Sequence, residues 1–379
     1  MAAIYLDHAA TSPVHPKVIE AMVPIYQDVF GNPSSVHQYG RKARRILDEA
    51  RRTIADSIFA NEKEIVFTSG GTEADNLAII GTARANQHKG KHIITTSIEH
   101  HATLHAVEYL ESEGFDVTYL PVDETGAVRV EDVKASLRDD TILVSIMMVN
   151  NETGIIQPIE EIAEAVKNHQ AYLHSDIVQA YGQLEVNVKE ISVDLLAVSA
   201  HKVNGPKGIG YLYVKEGTKI DSLQYGGEQE RKRRAGTENI PAAKGFQVAV
   251  DVMVSNRETN KEKYARLKQL FLDSLTEEEV EYDINGDKER SVPSIVNVSF
   301  TGMNVEALLT NFDLAGIAAS SGSACTAGSV EPSHVLSAMY GSENSRTTNS
   351  IRFSFGLAND EENVVEAAKK VSQIIKRLS

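Results

Sequence analysis

Residues able to do chemistry recur at one kind of place in this sequence, just after short apolar runs. Thr68-Ser69-Gly70-Gly71-Thr72 follows the run 65–67, Glu99-His100 comes soon after 92–95, and Asn150-Asn151-Glu152 follows 142–149. Asp176 and Gln179 come after 172–174, and Ser199-Ala200-His201-Lys202 follows 195–198. If the apolar runs are strands of an open α/β sheet, these residues meet outside its carboxyl edge, where such sheets bind ligands. The set then comprises a glycine turn, hydroxyls, amides, three acids, two histidines and a lysine.

Between Thr68 and Asp75, two glycines allow a tight turn and a helix begins at about Thr72. The open backbone N–H groups and the positive dipole end of that helix suit an anion. Taken alone, the feature reads as a helix cap. It is not a Walker loop, since no Gly-Lys-Ser/Thr follows, and Gly205-Pro206-Lys207-Gly208-Ile209-Gly210 precedes a strand instead of joining strand to helix. A lysine beside a hydroxyl and an imidazole, near an anion turn, can form a Schiff base with a carbonyl cofactor. Asp176 would then keep a pyridine nitrogen protonated; its other reading is a strand-end turn residue.

One cysteine occurs in the chain, which excludes an intramolecular disulfide and a cysteine-based zinc site. Cys325 sits in Ser320-Ser321-Gly322-Ser323-Ala324-Cys325-Thr326-Ala327-Gly328-Ser329. That setting is too polar and glycine-rich for a core element, so an exposed, flexible loop is expected. His101 and His105 have the i, i+4 spacing of a metal pair, but no third ligand is evident in the sequence, and no metal is expected.

The elements that must position these groups follow from periodicity. Strand candidates at 65–67, 92–95, 117–120, 142–149, 172–174, 195–198 and 209–214 alternate with helical patterns such as 73–87 and Ile159, Ile162, Ala163, Val166. This predicts an α/β fold with a mainly parallel seven-stranded sheet covered on both faces by helices. After Pro241 a long helix carries Tyr264, Leu267, Leu270 and Phe271 on one face; a smaller α/β unit follows, with strands at 292–300, 317–319 and 350–355 and a final helix. We expect a large domain over 16–259, and a small domain from 1–15 with 260–379 that carries the cysteine loop at about 320–333.

Length favours two domains: 379 residues exceed the usual span of one core. The formal net charge of −15 argues against direct binding of nucleic acid or an anionic membrane. The start of the chain lacks a basic segment followed by an apolar one, and no apolar run is long enough to cross a bilayer, so a cytoplasmic protein is expected. Of the two basic clusters, Arg41-Lys42-Ala43-Arg44-Arg45 reads as a salt-bridged helix face. Arg231-Lys232-Arg233-Arg234 reads equally as an interface or as solvated charge.

At this point the sequence resembles the cysteine desulfurases of the aminotransferase class V group, within fold type I of the pyridoxal-phosphate enzymes. The matching stretches span nearly the whole chain. They include Tyr5-Leu6-Asp7-His8-Ala9-Ala10-Thr11, Phe30-Gly31-Asn32-Pro33-Ser34-Ser35, Phe67 through Asn76, and Val149-Asn150-Asn151-Glu152-Thr153-Gly154. Ser199-Ala200-His201-Lys202, Arg234-Ala235-Gly236-Thr237, residues 320–332 and Ser350-Ile351-Arg352-Phe353-Ser354 complete the match. The extended loop resembles the first of the two desulfurase groups, whose catalytic loop is longer.

The resemblance implies that pyridoxal 5'-phosphate is the cofactor and L-cysteine the substrate. It makes Lys202 the Schiff-base lysine, Asp176 the partner of the pyridine nitrogen, and Gln179 the partner of the ring's phenolic oxygen. His100 would stack on the ring and assist proton transfer. Gly71, Thr72, Ser199 and His201 would hold the phosphate, with Thr237 reaching it from the other subunit of a homodimer. Asn151 and Arg352 would hold the substrate carboxylate, and Cys325 would take the sulfur as a persulfide for an acceptor protein serving iron–sulfur assembly or tRNA thiolation. His8, where Asn or Tyr is common, and Ile177, where a small residue often follows the acid, depart from the pattern. The rival readings are another class V activity, such as a selenocysteine lyase or an aminotransferase, and a non-catalytic sulfur-carrier scaffold. Cys325 separates the first, and the presence of Lys202, Asp176 and Cys325 argues against the second.

Overall fold

The computed structural model describes residues 3–322 and 332–378. Cys325 therefore lies outside the described residues, as does the loop conformation expected for it. In chain order the strands are β1 (Ile4–Tyr5), β2 (Ile65–Thr68), β3 (His92–Thr96), β4 (Asp116–Leu120), β5 (Thr141–Ser145), β6 (Tyr172–Asp176), β7 (Leu195–Ser199), β8 (Gly210–Val214), β9 (Asp283–Ile284), β10 (Ile295–Ser299), β11 (Ile317–Ala318) and β12 (Ser350–Ser354). The helices are α1 (Pro16–Asp28), α2 (Gln38–Asp56), α3 (Gly71–Asn86), α4 (His101–Ser112), α5 (Val130–Ser136), α6 (Ile159–Val166), α7 (Ile240–Glu277), α8 (Val305–Leu314), α9 (His334–Tyr340), α10 (Arg346–Asn349) and α11 (Glu361–Leu378).

Strands β2 to β8 form a seven-stranded sheet in the order β2-β8-β7-β6-β5-β3-β4. Only β8 runs antiparallel to its neighbours, so the other six end at one edge. Both faces are covered at β2, β5, β7 and β8, which is why these strands are buried throughout, whereas the edge strand β4 is largely exposed. On one face Ile65, Phe67, Leu196, Val198, Tyr211 and Tyr213 join a core with α2, α6 and the first half of α7. The alternate residues Val66, Leu195, Ala197, Leu212 and Val214 pack instead against Ala74, Leu77 and Ala78 of α3. This is the period-two alternation of a strand buried on both sides.

A separate core forms on the three-stranded sheet β12-β10-β9. Val296, Val298, Phe353 and Phe355 meet Leu267 and Phe271 of α7, Leu308 and Phe312 of α8 and Val364, Val371 and Ile374 of α11. Helix α7 thus serves both cores, Phe246 and Val250 in the first and Leu267 and Phe271 in the second. The chain start belongs to the second core through Ile4 and Leu6, with β1 pairing parallel to β11. Residues 7–12 then cross to the edge of the large sheet, which brings the two cores together over one site.

Candidate active site

Thr68, Asp176 and Ser199 end β2, β6 and β7 at the shared carboxyl edge. There, a cavity of ≈ 310 Å³ is lined by Gly71, Thr72, His100, Asn151, Asp176, Gln179, Ser199, His201, Lys202 and Arg352. Every described residue given a cofactor or substrate role by the resemblance therefore lines one cavity except Thr237, which is exposed on the surface.

Two glycines let β2 turn into α3 so that the helix's N-terminal amides face the cavity floor. A Cβ on Gly71 would stand 2.9 Å from Val178 Cγ2 and 3.7 Å from Ser199 Cβ, so the bare backbone is what leaves room there. Ser199 and His201 approach from the end of β7, giving the cradle hydroxyl and imidazole groups besides the N–H donors. His201 Nδ1 lies 3.0 Å from Thr11 Oγ1, and its pKa is pushed down to about 4 by burial and then by the Lys202 charge.

Lys202 Nζ donates to the carbonyls of Ala9 and Ala10, at 2.5 and 2.9 Å. Gln179 Nε2 donates to the same Ala9 carbonyl at 2.8 Å, so the crossing segment fixes both side chains. Asp176 accepts the Val178 N–H at 2.8 Å. Burial pushes its pKa up to about 6, against the opposing pull of that N–H and of Lys202. It therefore holds a proton more readily than a surface carboxylate.

His100 caps α4: its Nδ1 accepts the Ala102 N–H at 3.1 Å. Burial and then Lys202 push its pKa down to about 4, so the ring is neutral at pH 7. With Nδ1 accepting, the hydrogen of the neutral ring is assigned to Nε2. Arg352 is 3% exposed and donates from Nη1 to the Asn151 carbonyl at 3.0 Å and from Nη2 to Asp7 Oδ1 at 2.9 Å. Among the described residues its buried Nε has no hydrogen-bond partner, and Arg352 lines the cavity.

Several residues at the site were given no role by the sequence reading, though Glu99 and Glu152 stood in its list of strand-end groups. Asp75, in the first turns of α3, lines the cavity, and burial raises its pKa well above the usual carboxyl range. Glu99 accepts from Thr96 Oγ1 at 2.7 Å and from the Met147 N–H at 3.0 Å, and burial pushes it up to about 8. Glu152 and His334 also line the cavity, and Asp7 anchors Arg352. Glu99 and Glu152 stand beside the histidine and asparagine that drew attention, the one available signal. Of the two asparagines, Asn150 is structural: its Oδ1 accepts from Glu152 N and Thr153 N at 2.9 Å each, which leaves Asn151 to face the cavity.

The two departures fall away from the cavity wall. Ile177 is fully buried in the large core. His8 packs edge-on against Tyr5 and lines a neighbouring cavity behind Lys202. His101 lies between His105 and His334, with ring centroids 5.1 and 4.9 Å away, but among the described residues no group of three or more histidines and acids is arranged to hold a metal. No described helix is long and apolar enough to cross a membrane.

An α/β sheet with an anion cradle, a lysine and a buried acid at its carboxyl edge defines a fold type I pyridoxal-phosphate enzyme. The family model for "Aminotransferase class-V" matches residues 4–366. An IscS 1 protein of Bacillus subtilis (strain 168) is 57% identical over 379 residues, covering 100% of both chains. "Cysteine desulfurase IscS" of Methanosarcina thermophila is 46% identical over 376 residues, 99% of this chain and 93% of that one. Among solved structures, "SspA in complex with cysteine" superposes with a TM-score of 0.83 at 36% identity, covering 93% of this chain and 98% of that one. The chain belongs to the class V aminotransferase family.

Proposed function

We infer that this protein is a pyridoxal-phosphate-dependent cysteine desulfurase that places the sulfur of L-cysteine on Cys325. The observation that carries the reading is the convergence of Lys202, Asp176 and Arg352 on one cavity whose wall also includes Gly322. The chain therefore enters the Cys325 segment directly from the site.

The residues fit the cofactor. The glycine-opened start of α3, with Thr72, Ser199 and His201, suits a phosphate, Lys202 an aldehyde carbon and Asp176 a ring nitrogen. Gln179 would bond the phenolic oxygen, and His100 would lie against the ring. When bound, the cofactor's protonated ring supplies an electron sink that stabilises negative charge at the substrate Cα. Lys202 Nζ is the covalent anchor and the base placed to take the Cα proton. Asp176 keeps the proton on the ring nitrogen. Arg352 Nε and the Asn151 side chain hold the substrate carboxylate and so orient the Cα–H bond.

The neutral His100 ring offers its Nε2–H as a donor, and to accept a proton at Nδ1 it must give up the cap bond to Ala102. The Cys325 thiolate attacks the substrate sulfur; an S–S bond forms and the substrate C–S bond breaks, Cβ takes a proton, Lys202 returns one to Cα, and alanine leaves. A thiol of ordinary pKa, about 8.5, must lose its proton for this, and we assign that assistance to His100.

We further propose a homodimer in which a second copy supplies Thr237 to the cradle. Thr237 is exposed, and so are Ile19, Val23, Tyr26, Phe30 and Val36 on and after α1, an apolar set that a second copy would cover. An acceptor protein serving iron–sulfur assembly or tRNA thiolation would then take the persulfide in the cytosol. Lys202→Ala tests the reading: it should fold, bind cofactor more weakly and give no borohydride-fixed protein–cofactor adduct. An adduct on another lysine would overturn the assignment.

A further inference from the structure

Arg352 faces the cavity but is held from behind, by a residue from the other end of the chain. Its Nη2 donates to Asp7 Oδ1 at 2.9 Å and its Nη1 to the Asn151 carbonyl at 3.0 Å. That leaves Nε as the guanidinium nitrogen without a hydrogen-bond partner among the described residues. Asp7 Oδ2 accepts from Ser320 Oγ at 2.8 Å. Ser320 is itself paired to the backbone of Arg352, the Arg352 N–H reaching the Ser320 carbonyl at 2.7 Å. One carboxylate thus closes a ring through a guanidinium, a hydroxyl and the backbone of β12, the Arg352 and Asp7 side chains being 3% and 16% exposed.

The backbone of Asp7 is fixed as firmly as its side chain. Its carbonyl accepts from Tyr5 Oη at 3.0 Å and from the Ala10 N–H at 3.1 Å. On either side of it, the Leu6 carbonyl accepts the Ser354 N–H at 2.8 Å, and the Ala9 N–H donates to Ser354 Oγ at 2.8 Å. Ser354 is two residues beyond Arg352 on β12, so the strand that carries the guanidinium also anchors its counter-ion. Asp7 is not among the residues that line the cavity.

We propose that Asp7 makes the site selective for amines that bear an α-carboxylate, as the positioning residue that fixes the Arg352 guanidinium for that group. The proposal rests on the reading that Arg352 holds the substrate carboxylate. A long, rotamer-rich side chain loses freedom when it grips a ligand, and a guanidinium already fixed by two bonds has little left to lose. The buried cation also has its counter-charge before any ligand arrives, which removes the penalty of an uncompensated charge in the wall. Asp7 acts through Arg352 and touches no ligand atom.

The test compares L-alanine with ethylamine, the same amine without its carboxylate, by titrating each against the visible band of cofactor-loaded protein. Neither carries sulfur, so the result stands whether or not the protein releases sulfur from cysteine. Wild-type protein should bind L-alanine about a hundredfold or more tighter than ethylamine. Asp7→Ala should cut that ratio about tenfold, weakening L-alanine while leaving ethylamine within about twofold. Asp7→Asn, which keeps an acceptor for Nη2, should restore most of the ratio, and Ser320→Ala should cut it about threefold. Arg352→Ala should abolish the ratio, and adding Asp7→Ala to it should cost L-alanine nothing more. A wild-type ratio in folded Asp7→Ala, equal weakening of both amines, or a further loss in the double variant would overturn the proposal. If Asp7→Ala does not fold, an unchanged ratio in Ser320→Ala overturns it. A ratio that survives Arg352→Ala would overturn the reading of Arg352 itself, and the proposal with it.

Discussion

The turn carrying Arg231-Lys232-Arg233-Arg234 gives a sharp test of how the surface next to the site is held. Glu230, Arg231 and Lys232 all have positive φ, at 48°, 56° and 67°. Left-handed backbone costs a non-glycine residue about 1–2 kcal/mol, so three in succession cost about 3–6 kcal/mol. A buried ion pair offsets this. Arg51 and Glu230 are 5% and 2% exposed in their side chains and meet through two 2.6 Å bonds. Arg51 also donates to the Ile65 carbonyl at 2.7 Å and lies 4.7 Å over the Phe67 ring, while Glu230 accepts the Phe67 N–H at 2.9 Å. Glu230→Gln keeps the shape but leaves the guanidinium buried and uncompensated, a loss of about 3–5 kcal/mol. The urea midpoint should fall accordingly, and trypsin should cut at 231–234 faster. Arg234, two bonds of 2.7 and 3.1 Å from Glu73 in the first turn of α3, should loosen with it and weaken cofactor binding. Replacing both partners, as Arg51→Met with Glu230→Leu, should recover much of the stability. A loss under about 1 kcal/mol in Glu230→Gln, with no slackening at Arg234, would refute the reasoning.

Two further outcomes follow from the site. Burial raises Glu99 from 4.5 to about 8, so the folded protein keeps a proton that the unfolded chain gives up earlier. Its stabilising contribution is full below pH 4.5 and is lost as pH rises through about 8, a span worth up to about 5 kcal/mol. The urea midpoint of Glu99→Gln should therefore gain on wild type between pH 5 and 8, and a constant difference would contradict this. Gly71→Ala should weaken cofactor binding about tenfold by pressing on Val178, and Val178→Ala in the same chain should restore most of it. Failure of that rescue would place the cradle elsewhere.

Much of this architecture was legible in the sequence because most strands of the large sheet are buried on both faces. Short apolar runs marked all seven of its strands, and the residues after β2, β3, β5, β6 and β7 supply the cavity wall. The run 142–149 was read as one strand, yet β5 ends at Ser145. Ile146 to Val149 remain buried after leaving the sheet, the Met147 N–H going to Glu99, so apolarity alone does not mark where pairing stops. β1 and β9 are two residues each, too short to show a period, while the equally short β11 falls within the strand read at 317–319. Asp75, Glu99 and Glu152 were given no role because their significance lies in partners from other elements. A carboxyl's burial by Met147 or Ser333 has no signature in the residues beside it. Asp7 lies 345 residues from Arg352, and only the folded crossing segment joins them.

The account's central claim is that Cys325 receives the substrate sulfur at a site built around Lys202 and Asp176. The direct measurement is the mass of the Cys325 peptide, taken without reductant after cofactor-loaded protein has met L-cysteine, alongside the alanine formed. The account predicts a gain of one sulfur atom on Cys325 with alanine appearing in step, and in Cys325→Ser an intact cofactor band with almost no sulfur released. An unmodified Cys325 peptide beside full alanine production, or wild-type desulfuration by Cys325→Ser, would contradict it.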